Sequence, residues 1–171
     1  MNSSIAKTSP NAWPLGISIN AAMPLPMHEL KQSGVECIEL TFQTLDIFDP
    51  KVERRCEEIV KSAAENGIKL WTVHIPYGDE WDPSLLDAEA RKTVLDKAVR
   101  IFKLAKKWGA EKVVFHPSYE PVPAEEREER LNVCRESIRL LSREAEAAGV
   151  WLAVECLPRT CLGNCAEEIE F

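Results

Sequence analysis

The stretch G-I-K-L-W-T-V-H-I-P-Y (67–77) decides how this sequence folds. A glycine opens it, a short apolar run follows, and a histidine closes the run before a proline-bearing loop. The run lacks the clean alternation of a half-solvated strand, as expected where helices cover a parallel sheet. The same order recurs outward in both directions. Gly34-Val35 leads into C-I-E-L, Gly109-Ala110 into K-V-V-F-H and Gly149-Val150 into W-L-A-V-E, while Leu15 to Ile19, ending at Asn20, fits as a first member. Each of these glycines follows a segment with helical spacing, where a helix C-terminus favours a residue that tolerates positive φ.

The helices between the runs can be counted. Leu131, Cys134, Ile138, Leu141, Ala145 and Ala148 step by three or four and form one apolar stripe. Val94, Ala98, Ile101, Ala105 and Trp108 do the same, as do Val52, Cys56, Ile59 and Ala63, and Met27 to Ser33 reads as a short first helix. Pro50, Pro83 and Pro123 stand near the expected helix starts, where a missing N–H costs little. Helices between successive strands make those strands parallel neighbours. The order is β-α-β-α-β-α-β-α-β, with A-E-E-I-E-F (166–171) opening a fifth helix. At about 35–42 residues per unit, eight units need about 270–300 residues, a common size for a (β/α)8 barrel. This chain holds about four and a half, so it reads as an open five-stranded α/β sheet or as the first part of a barrel.

Composition agrees with a single domain. The 171 residues are 45% hydrophobic and 29% charged, which excludes a disordered or collagen-like chain. No apolar run approaches twenty residues, so no membrane span is expected. The opening M-N-S-S-I-A-K-T-S-P-N-A has no apolar core and no cleavage-type end, and 1–13 is expected as a flexible N-terminus rather than a signal peptide. Six cysteines without a secretion signal read as reduced thiols in a cytoplasmic protein. Cys37, Cys56 and Cys134 fall at core positions, and Cys156, Cys161 and Cys165 match a zinc clip poorly in spacing and ligand number. A net charge of −7 weighs against a partner bearing many phosphates.

The polar residues that close the strands carry the chemistry. Glu39, His74, His116 and Glu155 each stand at or near the C-terminal end of an apolar run, the end at which parallel α/β folds bind ligands. A lone histidine there is more often a hydrogen-bonded structural residue, but recurrence in successive units favours function. A carboxylate within W-L-A-V-E-C-L is costly to bury unless a cation or several donors accompany it, and Arg159 is one such cation. Two imidazoles and one or two carboxylates at one mouth suit a divalent metal or a sugar. His28 is expected at the surface, and Glu125 to Arg130 as a solvated helix start.

T-V-H-I-P-Y (72–77), V-V-F-H-P-S (113–118) and L-A-V-E-C-L-P-R (152–159) resemble the third, fourth and fifth strand motifs of the xylose isomerase-like TIM barrels. That superfamily holds sugar-phosphate isomerases and epimerases, related dehydratases and AP endonucleases of the endonuclease IV type. C-L-G-N (161–164) resembles the loop after the fifth strand, and the resemblance covers 14–171. It implies the N-terminal portion of a (β/α)8 TIM barrel, with about the first five parallel strands and four helices. The activity it implies is metal-dependent isomerisation or epimerisation of a small sugar or sugar phosphate through an enediolate. The cofactor would be a divalent ion, Mn, Zn, Mg or Co.

By this resemblance Glu155 is catalytic and a metal ligand, and His116 is a second metal ligand. His74 and His116 line the same pocket, and Glu39 and Arg159 are expected with them as substrate contacts. The family's remaining ligands come from strands six, seven and eight, which have no counterpart in this sequence, so an incomplete site is expected. Two other functions stay open. One is a non-catalytic barrel fragment that associates through its open sheet edges. The other is an endonuclease IV-like phosphodiester hydrolase, against which the net charge and the absence of a basic loop cluster count. A small sugar is the expected partner, not nucleic acid or a membrane.

Overall fold

The computed structural model describes residues 13–23, 25–43, 45–157 and 159–169. Most of the expected flexible N-terminus, 1–13, therefore lies outside the described residues. Among the described residues five strands, β1 (Gly16–Asn20), β2 (Cys37–Thr41), β3 (Lys69–His74), β4 (Lys112–Phe115) and β5 (Trp151–Val154), alternate with helices. The helices are α1 (Met27–Gln32), α2 (Pro50–Glu65), α3 (Ala88–Trp108), α4 (Arg127–Ala148) and α5 (Ala166–Ile169), with a single 3-10 turn at Asp79–Trp81. The strands form one parallel sheet in the order β1-β2-β3-β4-β5, the arrangement of the first five strands of a TIM barrel.

Local chemistry places the helix ends. Pro50 opens α2, where Asp49 caps the helix by accepting from the Lys51 N–H at 2.8 Å. Pro83 and Pro123 do not open helices. The chain needs further loop residues to turn from the sheet, and α3 starts only after Asp87, whose carboxylate accepts from the Ala90 N–H at 2.8 Å. Gly109 and Gly149 end α3 and α4 at φ of 85° and 76°, a conformation other residues adopt with strain.

The counted stripes face one side of the sheet. Ala98, Ile101, Phe102 and Ala105 of α3 and Leu141 of α4 are fully buried against Val73, Val113 and Phe115 of the strands. Burial of a side chain such as Leu141 contributes about 1.5–3 kcal/mol. Strand residues alternate between faces, so Thr72, His74, Val114 and His116 point to the opposite side. That side is open among the described residues, and Trp151, which shares a face with Ala153 and Glu155, is 74% exposed.

The acidic-basic run at the start of α4 is not a solvated face throughout. Arg130 is 8% exposed, and its guanidinium pairs at 2.5 Å with Asp82, itself 3% exposed, and donates to the Ser84 hydroxyl. Arg127 reaches Glu168 and the carbonyls of Thr160 and Cys161. The first turn of α4 packs against the loops after β3 and β5, where the buried Asp82 holds Arg130 and the half-buried Glu168 of α5 holds Arg127. His28, in contrast, is exposed on α1.

Candidate active site

β3, β4 and β5 bring His74, His116 and Glu155 together. Ladder hydrogen bonds continue one residue past each strand: the Ile75 N–H donates to Val114 O and the Glu155 N–H to Phe115 O, both at 2.9 Å. His116 and Glu155 thereby stay in register on the open face. The ligand-type atoms of the three residues all lie within 4.8 Å of one another. Glu155 Oε2 is 3.1 Å from His74 Nε2 and 3.9 Å from His116 Nε2. The imidazoles are well covered, with 16% and 11% of their side chains exposed, whereas the Glu155 side chain is 51% exposed.

Hydrogen bonding fixes the tautomers. His74 Nδ1 faces the Ile75 carbonyl at 2.7 Å and His116 Nδ1 faces the Glu155 carbonyl at 3.0 Å. A carbonyl only accepts, so both Nδ1 atoms carry hydrogen, and in the neutral form of either ring Nε2 holds a lone pair. Those lone pairs meet a carboxylate oxygen. Burial, and then the neighbouring His74, hold the His116 pKa below its ordinary value, which favours the neutral ring. Two lone pairs converging on an anionic oxygen need a proton or a cation among them. The donor set, two nitrogens and one oxygen, fits a divalent ion and leaves coordination positions open.

An open cavity of about 660 Å³ surrounds the trio, lined also by Ser18, Thr41, Gln43, Tyr77 and Arg159. Arg159 does not reach Glu155. It pairs with Glu120 Oε1 at 2.9 Å and lies over the Tyr77 ring. Partial burial opposes ionisation of Glu120, but the Thr160 hydroxyl and the Arg159 charge outweigh it and hold the carboxyl below its usual range. Glu39 lies one layer deeper, beside Thr72 rather than His74. Its carboxylate accepts from the Ser18 hydroxyl at 2.5 Å and from the Thr72 hydroxyl at 3.0 Å.

Sequence reasoning did not select Gln43 or Tyr77. Gln43 adopts a φ of 45°, a left-handed conformation that costs a non-glycine residue about 1–2 kcal/mol, at the rim of this cavity. Tyr77 was legible in the repeated H-I-P-Y and H-P-S-Y motifs. Cys156, Cys161 and Cys165 carry free thiols, half-buried, buried and exposed respectively.

A five-stranded parallel sheet with an imidazole–carboxylate cluster beyond its carboxyl ends defines the class of a barrel-type α/β fold. The chain belongs to the xylose isomerase-like TIM barrel family, whose sequence profile matches residues 27–170. No curated protein sequence matches it. Among solved structures, a D-psicose 3-epimerase from Clostridium cellulolyticum H10, determined with D-tagatose, is 22% identical with a TM-score of 0.69, over 89% of this chain and 56% of that one. A D-tagatose 3-epimerase-like protein is 19% identical with a TM-score of 0.72, over 90% and 58%. The TTHB071 protein from Thermus thermophilus, soaked with ZnCl2, is 22% identical with a TM-score of 0.65, over 84% and 56%. These likenesses establish the fold, and the chain spans little more than half the length of those structures.

Proposed function

We propose that this chain carries the acid/base and metal-holding half of a sugar isomerase or epimerase site acting on a small sugar or sugar phosphate. The observation that carries this reading is the convergence of two imidazole lone pairs on Glu155 at the mouth of the sheet. Its family membership and the epimerases among its structural neighbours support the substrate class.

In this reading Glu155, His116 and His74 hold a divalent ion, which when bound would act as a Lewis acid toward the substrate's oxygens. Glu155 takes the proton from the carbon beside the substrate carbonyl, and the electron pair left behind moves onto the carbonyl oxygen to give an enediolate. Return of a proton to that carbon from the other face, or to its neighbour, gives the epimer or isomer. Arg159 and the Tyr77 ring orient the sugar at the rim, and Glu39 supports the sheet beneath through Ser18 and Thr72. Six free cysteines fit a reducing compartment such as the cytoplasm. Among the described residues no helix is long and apolar enough to cross a membrane.

A second reading has specific support: a non-catalytic fragment that needs a partner chain. Among the described residues β1 and β5 each have an unpaired edge, and the inner face exposes Trp151. An AP endonuclease-like activity has less support, because Arg159, the cation lining the cavity, is occupied by Glu120.

The test is calorimetric titration of the metal-stripped chain with Mn²⁺ and Zn²⁺, with Glu155→Ala alongside. It is followed by incubation of the loaded chain with ketoses and ketose phosphates in D2O. About one ion per chain, lost in the variant, and deuterium at the carbon beside the carbonyl are expected. Absence of binding overturns the metal reading. Binding without deuterium uptake, and with association into larger species, favours the partner-dependent fragment.

A further inference from the structure

Each strand-end histidine is followed three residues later by a tyrosine, as H-I-P-Y (74–77) and H-P-S-Y (116–119). In the folded chain these four side chains form a continuous series of rings. The centroids of His74 and His116 are 4.9 Å apart, those of His116 and Tyr77 also 4.9 Å, and those of Tyr77 and Tyr119 5.0 Å. The order is crossed. Tyr77, from the loop after β3, lies between the two aromatic residues that follow β4, so the first unit's tyrosine braces the second unit's histidine.

We propose that Tyr77 and Tyr119 are positioning residues that hold the His116 ring with Nε2 toward Glu155. This rests on the reading of His74, His116 and Glu155 as a metal-holding group. A single hydrogen bond from Nδ1 to the Glu155 carbonyl selects the tautomer but leaves the ring free to swing, because the last torsion of a histidine is broad. Contact with two neighbouring rings stops the swing: His74 packs tilted at 43° and Tyr77 meets the ring edge-on at 73°.

The braces are themselves anchored. The Tyr77 hydroxyl is 3.3 Å from Cys161 Sγ, and Arg159 lies over the Tyr77 ring. The Tyr119 N–H donates at 2.9 Å to Asp82, the buried carboxylate held by Arg130 and Ser84. A chain of contacts therefore runs from an ion pair in the core to a ring at the site. Groups that orient a ligand histidine from outside typically change metal affinity 10–100-fold when removed.

The experiment compares the 171-residue chain with Tyr77→Leu, Tyr77→Phe and Tyr119→Leu. Zn²⁺ affinity is measured by calorimetry, the His116 ring nitrogens by long-range ¹⁵N–¹H NMR without metal, and folding by thermal unfolding. Tyr77→Leu is expected to weaken Zn²⁺ about tenfold and to average the two ring nitrogens of His116. Tyr77→Phe keeps the ring and loses only its hydroxyl anchor to Cys161, so it retains most of both properties. Tyr119→Leu shifts both in the same direction as Tyr77→Leu, by less. Should Tyr77→Leu not fold, Tyr119→Leu decides the matter, since Tyr119 is 38% exposed and tolerant of change. Unaltered nitrogen signals and affinity in the leucine variants overturn the proposal, as does a phenylalanine variant as impaired as the leucine one. If the unaltered chain binds no Zn²⁺, the site reading fails, and the His116 ring signals alone still decide whether the tyrosines position it.

Discussion

Glu155 sets Oε2 3.1 Å from Nε2 of His74, although the His74 Nδ1–H is committed to the Ile75 carbonyl. With the His74 ring neutral, two acceptors would face one another across a hydrogen-bond distance. Such an arrangement is stable only when a proton or a cation lies between them. Residues that stand far apart in sequence hold this contact through the sheet register.

Glu155→Gln replaces one acceptor with a donor amide. The variant is expected to lose stoichiometric Mn²⁺ or Zn²⁺ binding, while in its metal-free form the amide N–H can donate to a neutral His74 Nε2 without the bridging proton that the carboxylate needs. Glu36→Ala, a change at the opposite end of β2 near Leu15, leaves metal binding unchanged. Calorimetry and urea unfolding in EDTA check both. Metal binding retained in Glu155→Gln would remove the carboxylate from the site.

Arg130→Met leaves Asp82 buried without its cation. The expected loss is about 3–5 kcal/mol of stability, a fall of roughly 10 °C or more in Tm. Asp82→Asn in the same chain should recover part of it, because no charge then remains uncompensated. Differential scanning calorimetry of the two variants distinguishes this buried pair from a surface one, whose removal costs less than about 1 kcal/mol.

In the metal-free chain, stability should fall as pH drops below about 6.5, the ordinary histidine value. Burial, and then the neighbouring His74, depress the folded-state pKa of His116. The unfolded chain therefore takes up this proton first, so the contribution is complete above 6.5 and is lost as pH falls toward the depressed value. His116→Asn should show a shallower slope in this window when unfolding is measured at a series of pH values.

Burial raises the thiols of Cys56 and Cys134 to about 12, so neither ionises near neutrality in the folded chain. Cys165 is exposed. Brief iodoacetamide treatment of the native chain should label Cys165 and spare Cys56 and Cys134, and urea should expose all three. Mass spectrometry of the digested protein reads the order, and early labelling of Cys134 contradicts the packing of α4.

Much of the fold was legible because it depends on local periodicity. The stripe through Ala98, Ile101 and Ala105 becomes the buried face of α3, and glycines 109 and 149 end helices where the spacing stops. His74, His116 and Glu155 could be selected because a parallel sheet gathers its strand ends at one edge. Arg130 misled, because the sequence run Glu125 to Arg130 looks uniformly solvated, and nothing in it announces that Asp82, across the fold, waits for a cation.

The sequence by itself determined the order of elements, the parallel sheet and the residues that close its strands, since these follow from spacing and residue type along the chain. Only the tertiary structure decided which closing residues meet. Register places Glu39 beside Thr72, one layer below His74, and sends Arg159 to Glu120. It also turns Tyr77 from its own unit onto the histidine of the next. Those choices depend on strand register and ring packing between distant segments, and short-range pattern carries no record of either.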